Sequence, residues 1–301
     1  MKQPCNLVAV TVTPFKQVCH PDFELIAGQT EKLSRKDIDA IFPCASTGEF
    51  VRISAEEKIE ILRTVSQCNI GQKRLIAGAC DASEDGVIQF LKAAKRYAYK
   101  ACVVCPPYYY GLSQDDVLRF YQLVCEAAEG MSIIAYHVPF FTTGIELDTL
   151  CRLLEIHNLV GIKDSSANMK RIAHTCNIVR QERPAFAVYT GTDDCLLPAL
   201  CAGCTGSMTA LGASMPDIIR AIYQAFYRKD LDCAMSLQQL ILPILREADR
   251  FPFPMGYKLL AEAVGWEVGN IEWEKYSGAQ DTLERMKKLL QIMKDETFYK
   301  G

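Results

Sequence analysis

The chain has 301 residues, half of them hydrophobic and 23% charged, a balance that fits one or two well-packed soluble domains. A chain this long buries roughly three quarters of its unfolded surface, so its core needs no disulfide or metal staple. With a net charge of −3 and four scattered histidines, it offers no basic face to nucleic acid or to an anionic membrane.

The first apolar run, Leu7-Val8-Ala9-Val10, is too short for a signal peptide or a membrane span. The fourteen cysteines are therefore expected in reducing cytoplasm, as small buried hydrophobes. Two Cys-x-x-Cys pairs are present. Cys102 and Cys105 lie in a strand-like run, where residues three apart face opposite sides. Cys201 and Cys204 have no His or further Cys close by in sequence, so no metal site is expected.

Eight near-continuous hydrophobic runs follow one another at 7–11, 38–42, 75–79, 101–105, 133–136, 159–163, 185–189 and 204–208. Such runs read as strands buried on both faces. Between them the period becomes helical. Ser54-Ala55-Glu56-Glu57 is a capping box at a helix start, and Val87, Leu91, Ala94 and Ala98 form one apolar helical face. From Leu231 onward only helices are expected, with Leu283, Met286, Leu290 and Met293 as a packing stripe. The fold class is α/β, a (β/α)8 TIM barrel over 1–230 with a C-terminal helical appendix over 231–301. A doubly wound open sheet fits less well, because the first strand is not followed by a glycine-rich dinucleotide turn.

In such barrels the chemistry collects at the carboxyl ends of the strands. Those ends carry Thr13, Ser46-Thr47, Tyr108-Tyr109, Tyr136, Lys163, Thr190-Gly191 and Ser207. Lys163 ends the run Leu159-Val160-Gly161-Ile162. Desolvation disfavours the charged form of a lysine, and a neutral amine attacks carbonyls; pairing with Asp164 or another rim acid is the alternative. Tyr136 ends the preceding strand, and a phenol there can shuttle protons or simply pack at the rim. The small-residue turn Ala45-Ser46-Thr47-Gly48-Glu49 can present backbone N–H groups to a carboxylate.

The segments Ala45-Ser46-Thr47-Gly48-Glu49, Pro107-Tyr108-Tyr109, Tyr136-His137-Val138-Pro139, Gly161-Ile162-Lys163-Asp164-Ser165-Ser166 and Gly191-Thr192-Asp193-Asp194 occur in that order. Together they resemble the dihydrodipicolinate synthase / N-acetylneuraminate lyase superfamily of pyruvate-dependent class I aldolases. The resemblance implies that Lys163 is the Schiff-base lysine and Tyr136 the proton shuttle. It gives the pyruvate carboxylate to Ser46 and Thr47, with Thr47 also relaying protons to Tyr136. Tyr109 matches a tyrosine that reaches a neighbouring subunit's site in relatives, which are usually homotetramers. No cofactor or metal is implied, since the protonated imine is the electron sink.

Two departures bear on the substrate. Synthases usually carry an arginine two residues after the Tyr-x-Val-Pro proline, as a substrate carboxylate clamp. This chain reads Phe140-Phe141-Thr142-Thr143-Gly144, one residue longer and with no basic residue. Gly191-Thr192-Asp193-Asp194 resembles the run with which sialic acid lyases bind sugar hydroxyls, although Asp193 and Asp194 could instead cap the following helix. Ser207 joins Gly191, Asp193 and Asp194 as a substrate-binding candidate. The expected reaction is retro-aldol cleavage of a 2-keto-3-deoxy sugar acid; condensation of pyruvate with aspartate semialdehyde, or a non-catalytic keto-acid binder, are the alternatives.

Overall fold

Strands rich in Val, Ile and Ala have no face to offer water, so they pair side by side and take helices on the outside. The structure, a computed structural model, describes residues 6–271 and 275–295. Cys5, one of the cysteines expected in the core, and residues 272–274 and 296–301 of the expected appendix lie outside them. The strands are β1 (Asn6–Val10), β2 (Phe15–Gln17), β3 (His20–Pro21), β4 (Ala40–Phe42), β5 (Arg74–Gly78), β6 (Ala101–Val104), β7 (Ser132–His137), β8 (Leu159–Asp164), β9 (Ala187–Thr190) and β10 (Gly206–Thr209). Each of the eight hydrophobic runs supplies one strand, and these close in the order β1-β10-β9-β8-β7-β6-β5-β4. The antiparallel pair β2/β3 was not legible, being two or three residues long and mostly polar.

The helices are α1 (Phe23–Ser34), α2 (Ala55–Cys68), α3 (Glu84–Arg96), α4 (Gln114–Ala127), α5 (Leu147–Leu153), α6 (Met169–Glu182), α7 (Leu196–Ala202), α8 (Leu211–Ser214), α9 (Pro216–Tyr227), α10 (Leu231–Ala248), α11 (Met255–Ala263) and α12 (Ala279–Asp295). None of them is long and apolar enough to cross a membrane.

Two compact units share the chain, one of residues 74–208 with Asn6, the other of 7–73 with the described part of 209–301. In the first, β5 to β10 run parallel, and the register Tyr136↔Lys163 puts the two residues side by side. Val87, Leu91 and Ala94 bury the inner face of α3, as the spacing requires. Ala98 does not belong to that face. The helix ends at Arg96, and Ala98, exposed with φ 60°, closes it in the left-handed conformation. The amide of Tyr99 then reaches back to the Ala94 carbonyl at 3.0 Å, a Schellman closure.

In the second unit β1 and β4 pair in parallel, Val8 opposite Ala40. The predicted capping box is present at Ser54 and Glu57. The stripe Leu283, Met286, Leu290 and Met293 is buried along α12. Among the described residues past Leu231 the regular structure is helical, apart from a bridge between Phe15 and Gly269.

The expectation for the cysteines needs correcting. Cys44, Cys80, Cys102, Cys105, Cys125, Cys176 and Cys204 are buried, but Cys201 is exposed and Cys19, Cys68, Cys151, Cys195 and Cys233 are half-buried. Cys201 lies on the outer face of α7, which a Cys-x-x-Cys spacing does not reveal. No cluster of His, Cys, Asp or Glu fit for a metal occurs among the described residues.

Candidate active site

Lys163 is only 3% exposed. Its Nζ lies 4.3 Å from the centroid of the Tyr136 ring, so amine and phenol share one spot, as adjacent strands in register allow. Asp164, next in the strand and therefore on the other face, is engaged elsewhere. One of its oxygens accepts from the amide and hydroxyl of Ser166 at 2.9 and 2.6 Å, the other from Arg171 Nε at 3.0 Å. Asp164 thus forms a buried carboxylate–guanidinium pair with Arg171 that anchors the end of β8.

The Tyr136 hydroxyl accepts from Ser165 Oγ at 3.4 Å. Tyr121, on α4, holds the backbone of the same residue. Its hydroxyl accepts from the Tyr136 amide at 3.2 Å and donates to the Val104 carbonyl at 2.8 Å. A phenol therefore bridges β6 and β7 just past their last paired residues, Val104 and Ala135. Burial pushes the Tyr121 phenol well above its ordinary range, which keeps it a donor. Neither Ser165 nor Tyr121 was singled out in the sequence. Ser165 belonged to a motif without a role, and Tyr121 reads there as an ordinary core residue of an amphipathic helix.

Gly191 owes its identity to crowding. A Cβ on it would stand 1.9 Å from Ser165 Oγ and 3.0 Å from Lys163 Cε. Gly191→Ala should displace both groups and slow capture of a keto acid by Lys163 at least about tenfold, with little change in the unfolding midpoint. Rates of borohydride-trapped pyruvate adduct check this; equal rates in the two proteins would mean that the contact does not position the amine.

Asp193 is buried and Asp194 half-buried in the short 3-10 turn Asp193–Cys195, and Ser207 is fully buried on β10 beside Thr190. The residues that precede that turn and α7, Thr192 and Cys195, make no side-chain cap bond. Tyr109, with φ 93° and 88% exposed, stacks edge-on against Tyr110. Phe140 and Phe141 are exposed as well.

In the other unit, Ser46–Gly48 is a 3-10 turn. The amides of Gly48 and Glu49 are spent on the Ala45 and Ser46 carbonyls, so an anion cradle here is narrower than the sequence suggested: it reduces to the amides of Ser46 and Thr47. Gly48 is held by Thr13, whose hydroxyl donates to its carbonyl at 2.7 Å.

His137, beside Tyr136, is buried, and its Nδ1 accepts from the Ile145 amide at 2.9 Å. Burial pulls its pKa down to about 4, with Asp164 opposing and Arg171 reinforcing the shift. Between the unfolded value near 6.5 and that folded value, the unfolded chain takes up a proton that the folded chain refuses. Stability should therefore fall as pH drops through this window, by up to about 1.4 kcal/mol per pH unit, and His137→Asn should lose less. Urea midpoints of both proteins between about pH 7 and pH 4.5 test it; parallel curves would contradict it.

The sequence pattern of the Dihydrodipicolinate synthetase family matches residues 3–293. The chain belongs to this family. It is an enzyme of the lyase class, on the barrel shared by dihydrodipicolinate synthases and N-acetylneuraminate lyases. One similar member is an uncharacterized DapA-like lyase of Thermofilum pendens, 30% identical over 267 residues, 87% of this chain and 88% of that protein. The crystal structure of dihydrodipicolinate synthase DapA-2 from Bacillus anthracis is 25% identical with a TM-score of 0.87, covering 96% of this chain and 99% of that one. An N-acetylneuraminate lyase from Mycoplasma synoviae shares the fold at a TM-score of 0.81 and 22% identity, covering 97% and 98%. Phe141 stands two residues after Pro139. Its ring is 55% exposed, while its amide and that of Thr142 close a turn on the Val138 carbonyl at 3.0 and 3.1 Å.

Proposed function

We propose that this family member is a Schiff-base aldolase that cleaves a 2-keto-3-deoxy sugar acid, of the N-acetylneuraminate or 2-keto-3-deoxygluconate kind, to pyruvate and an aldehyde. The observation that carries the reading is the buried Lys163 amine beside the Tyr136 ring, with the neighbouring Asp164 committed to Arg171. The amine adds to the C2 ketone and water leaves, giving an iminium. Tyr136 takes the proton of the C4 hydroxyl, the C3–C4 bond breaks, and its electrons pass to the iminium as an enamine. Protonation at C3 and hydrolysis then release pyruvate and restore the amine. No cofactor takes part, because the iminium is the electron sink.

The remaining roles follow the family pattern. Ser46 and Thr47 take the keto-acid carboxylate, Thr47 relays a proton to Tyr136, and Asp193, Asp194, Gly191 and Ser207 face the sugar portion. The absence of a basic residue over 140–144 favours a polyol over aspartate semialdehyde, whose carboxylate needs a charged partner. The exposed Tyr109 suits a site completed by a second subunit in a homotetramer, and the thiol state of the described cysteines suits the cytoplasm.

Pyruvate with borohydride should leave a stable adduct on Lys163. Pyruvate release should follow from N-acetylneuraminate or 2-keto-3-deoxygluconate. Turnover of pyruvate only with aspartate semialdehyde would make the enzyme a synthase, the activity named for its Bacillus anthracis relative. An adduct without turnover on any aldol substrate would make it a keto-acid binder.

A further inference from the structure

We propose that Cys80 and Cys105 are an oxidisable dithiol, which a hydroperoxide closes into a disulfide and which thereby slows imine formation at Lys163. The geometry begins with register. Gly78 on β5 pairs with Val103 on β6, and the Ala79 amide extends the ladder to the Val103 carbonyl at 3.0 Å. Cys80 and Cys105 stand two residues further along each segment, just past the strand ends, where the Cys80 sulfur meets the Cys105 amide. Neighbouring strands run about 4.8 Å apart, within the Cα separation that a disulfide spans.

The sulfurs already interact. Cys80 Sγ accepts from the Cys105 amide at 3.4 Å and lies 3.6 Å from the Val103 carbonyl, to which its own S–H donates. The Cys105 thiol hydrogen-bonds to the same sulfur; that bond and burial hold Cys105 protonated, its pKa well above the ordinary thiol range. Cys80, the acceptor of two hydrogen bonds, is the attacking sulfur, and Cys105 is the resolving thiol. Cys80 attacks the peroxide and the O–O bond breaks: the sulfur gains a hydroxyl, and the thiol proton goes to the departing oxygen, which leaves as alcohol or water. Cys105 then attacks that sulfenic sulfur, the S–S bond forms and water departs. Two electrons go to the peroxide. Both thiols are buried, so the oxidant must be small.

The link to the amine runs through the Tyr121 hydroxyl. Cys105 follows Val104, whose carbonyl accepts from Tyr121, which holds the amide of Tyr136. Drawing Cys105 toward Cys80 pulls on that chain. The charge of Lys163 also reaches the Cys105 thiol. This half of the proposal rests on Lys163 forming the imine; the disulfide itself does not.

The test is hydrogen peroxide treatment of the full-length enzyme, alkylation of remaining thiols, and peptide mapping beside borohydride trapping of pyruvate. The expected product joins the Cys80 and Cys105 peptides with loss of two hydrogens. Adduct formation should slow at least about fivefold and recover with dithiothreitol. Cys80→Ser, and separately Cys105→Ala, should trap pyruvate at a peroxide-insensitive rate. Cys176 and Cys204, whose sulfurs lie 3.8 Å apart, provide the internal comparison. A crosslink found only there, or sulfinic acid on Cys80 without a crosslink, overturns the proposal. So does equal peroxide sensitivity in Cys80→Ser. If the untreated enzyme traps no pyruvate, the map alone decides the dithiol, and it is the imine reading that has failed.

Discussion

Lys163→Arg should fold normally and lose at least about 10⁴-fold in turnover, the scale on which enzymes lose a covalent nucleophile. Arginine is the informative replacement. A guanidinium keeps a cation against the Tyr136 ring, where Nζ now stands 4.3 Å from the centroid, and cations of both kinds bind aromatic faces. It keeps the volume as well, so the near-complete burial of position 163 is not exchanged for a cavity. What it cannot do is condense with a ketone and shed water. Circular dichroism and the urea midpoint should match the parent within about 1 kcal/mol, and borohydride with pyruvate should leave its mass unchanged. Cleavage at the parental rate by this variant would exclude the imine route, whatever the substrate.

The features that were legible in the sequence are those enforced by period or position. Continuous apolar runs allowed only two-faced strands, and all eight became barrel strands. A lysine ending one run and a tyrosine ending the one before had to be neighbours, and Tyr136 and Lys163 are in register. What escaped depends on three-dimensional crowding. Gly191 read as a contact for substrate, yet its missing Cβ is what lets Ser165 and the Lys163 side chain lie against the β9 end. Tyr121 is one apolar position of α4 among several, and only the placement of its hydroxyl between Val104 and Tyr136 distinguishes it. Ala98 misled for a local reason: a helical period does not announce its own end when alanine, rather than glycine, takes the left-handed closing position.

Lys258→Met should destabilise the protein by about 3–5 kcal/mol, the cost of stranding a buried charge. Lys258 and Glu49 are both nearly inaccessible and their charged atoms meet at 2.6 Å. The second Glu49 oxygen binds Arg52, also at 2.6 Å, and the ammonium lies 3.9 Å from the Phe15 ring centroid. Burial pulls Lys258 below the usual lysine range while Glu49 holds it up, so each charge depends on the other for its place in the interior. Glu49 itself sits at φ 57°, in the left-handed region, and ends the turn that begins at Ser46. Replacing both partners by uncharged residues removes the stranded charge, so Glu49→Gln with Lys258→Met should recover most of the lost stability, a non-additivity that a double-mutant cycle read from urea midpoints measures. Recovery of function should not follow. Without the ion pair the strained residue behind Ser46 and Thr47 is no longer pinned, and if those two residues take the keto-acid carboxylate, the double variant will show a raised KM for substrate at near-parental stability. A double variant as unstable as Lys258→Met alone would show that the pair acts through packing rather than charge, and a parental KM would detach it from the turn.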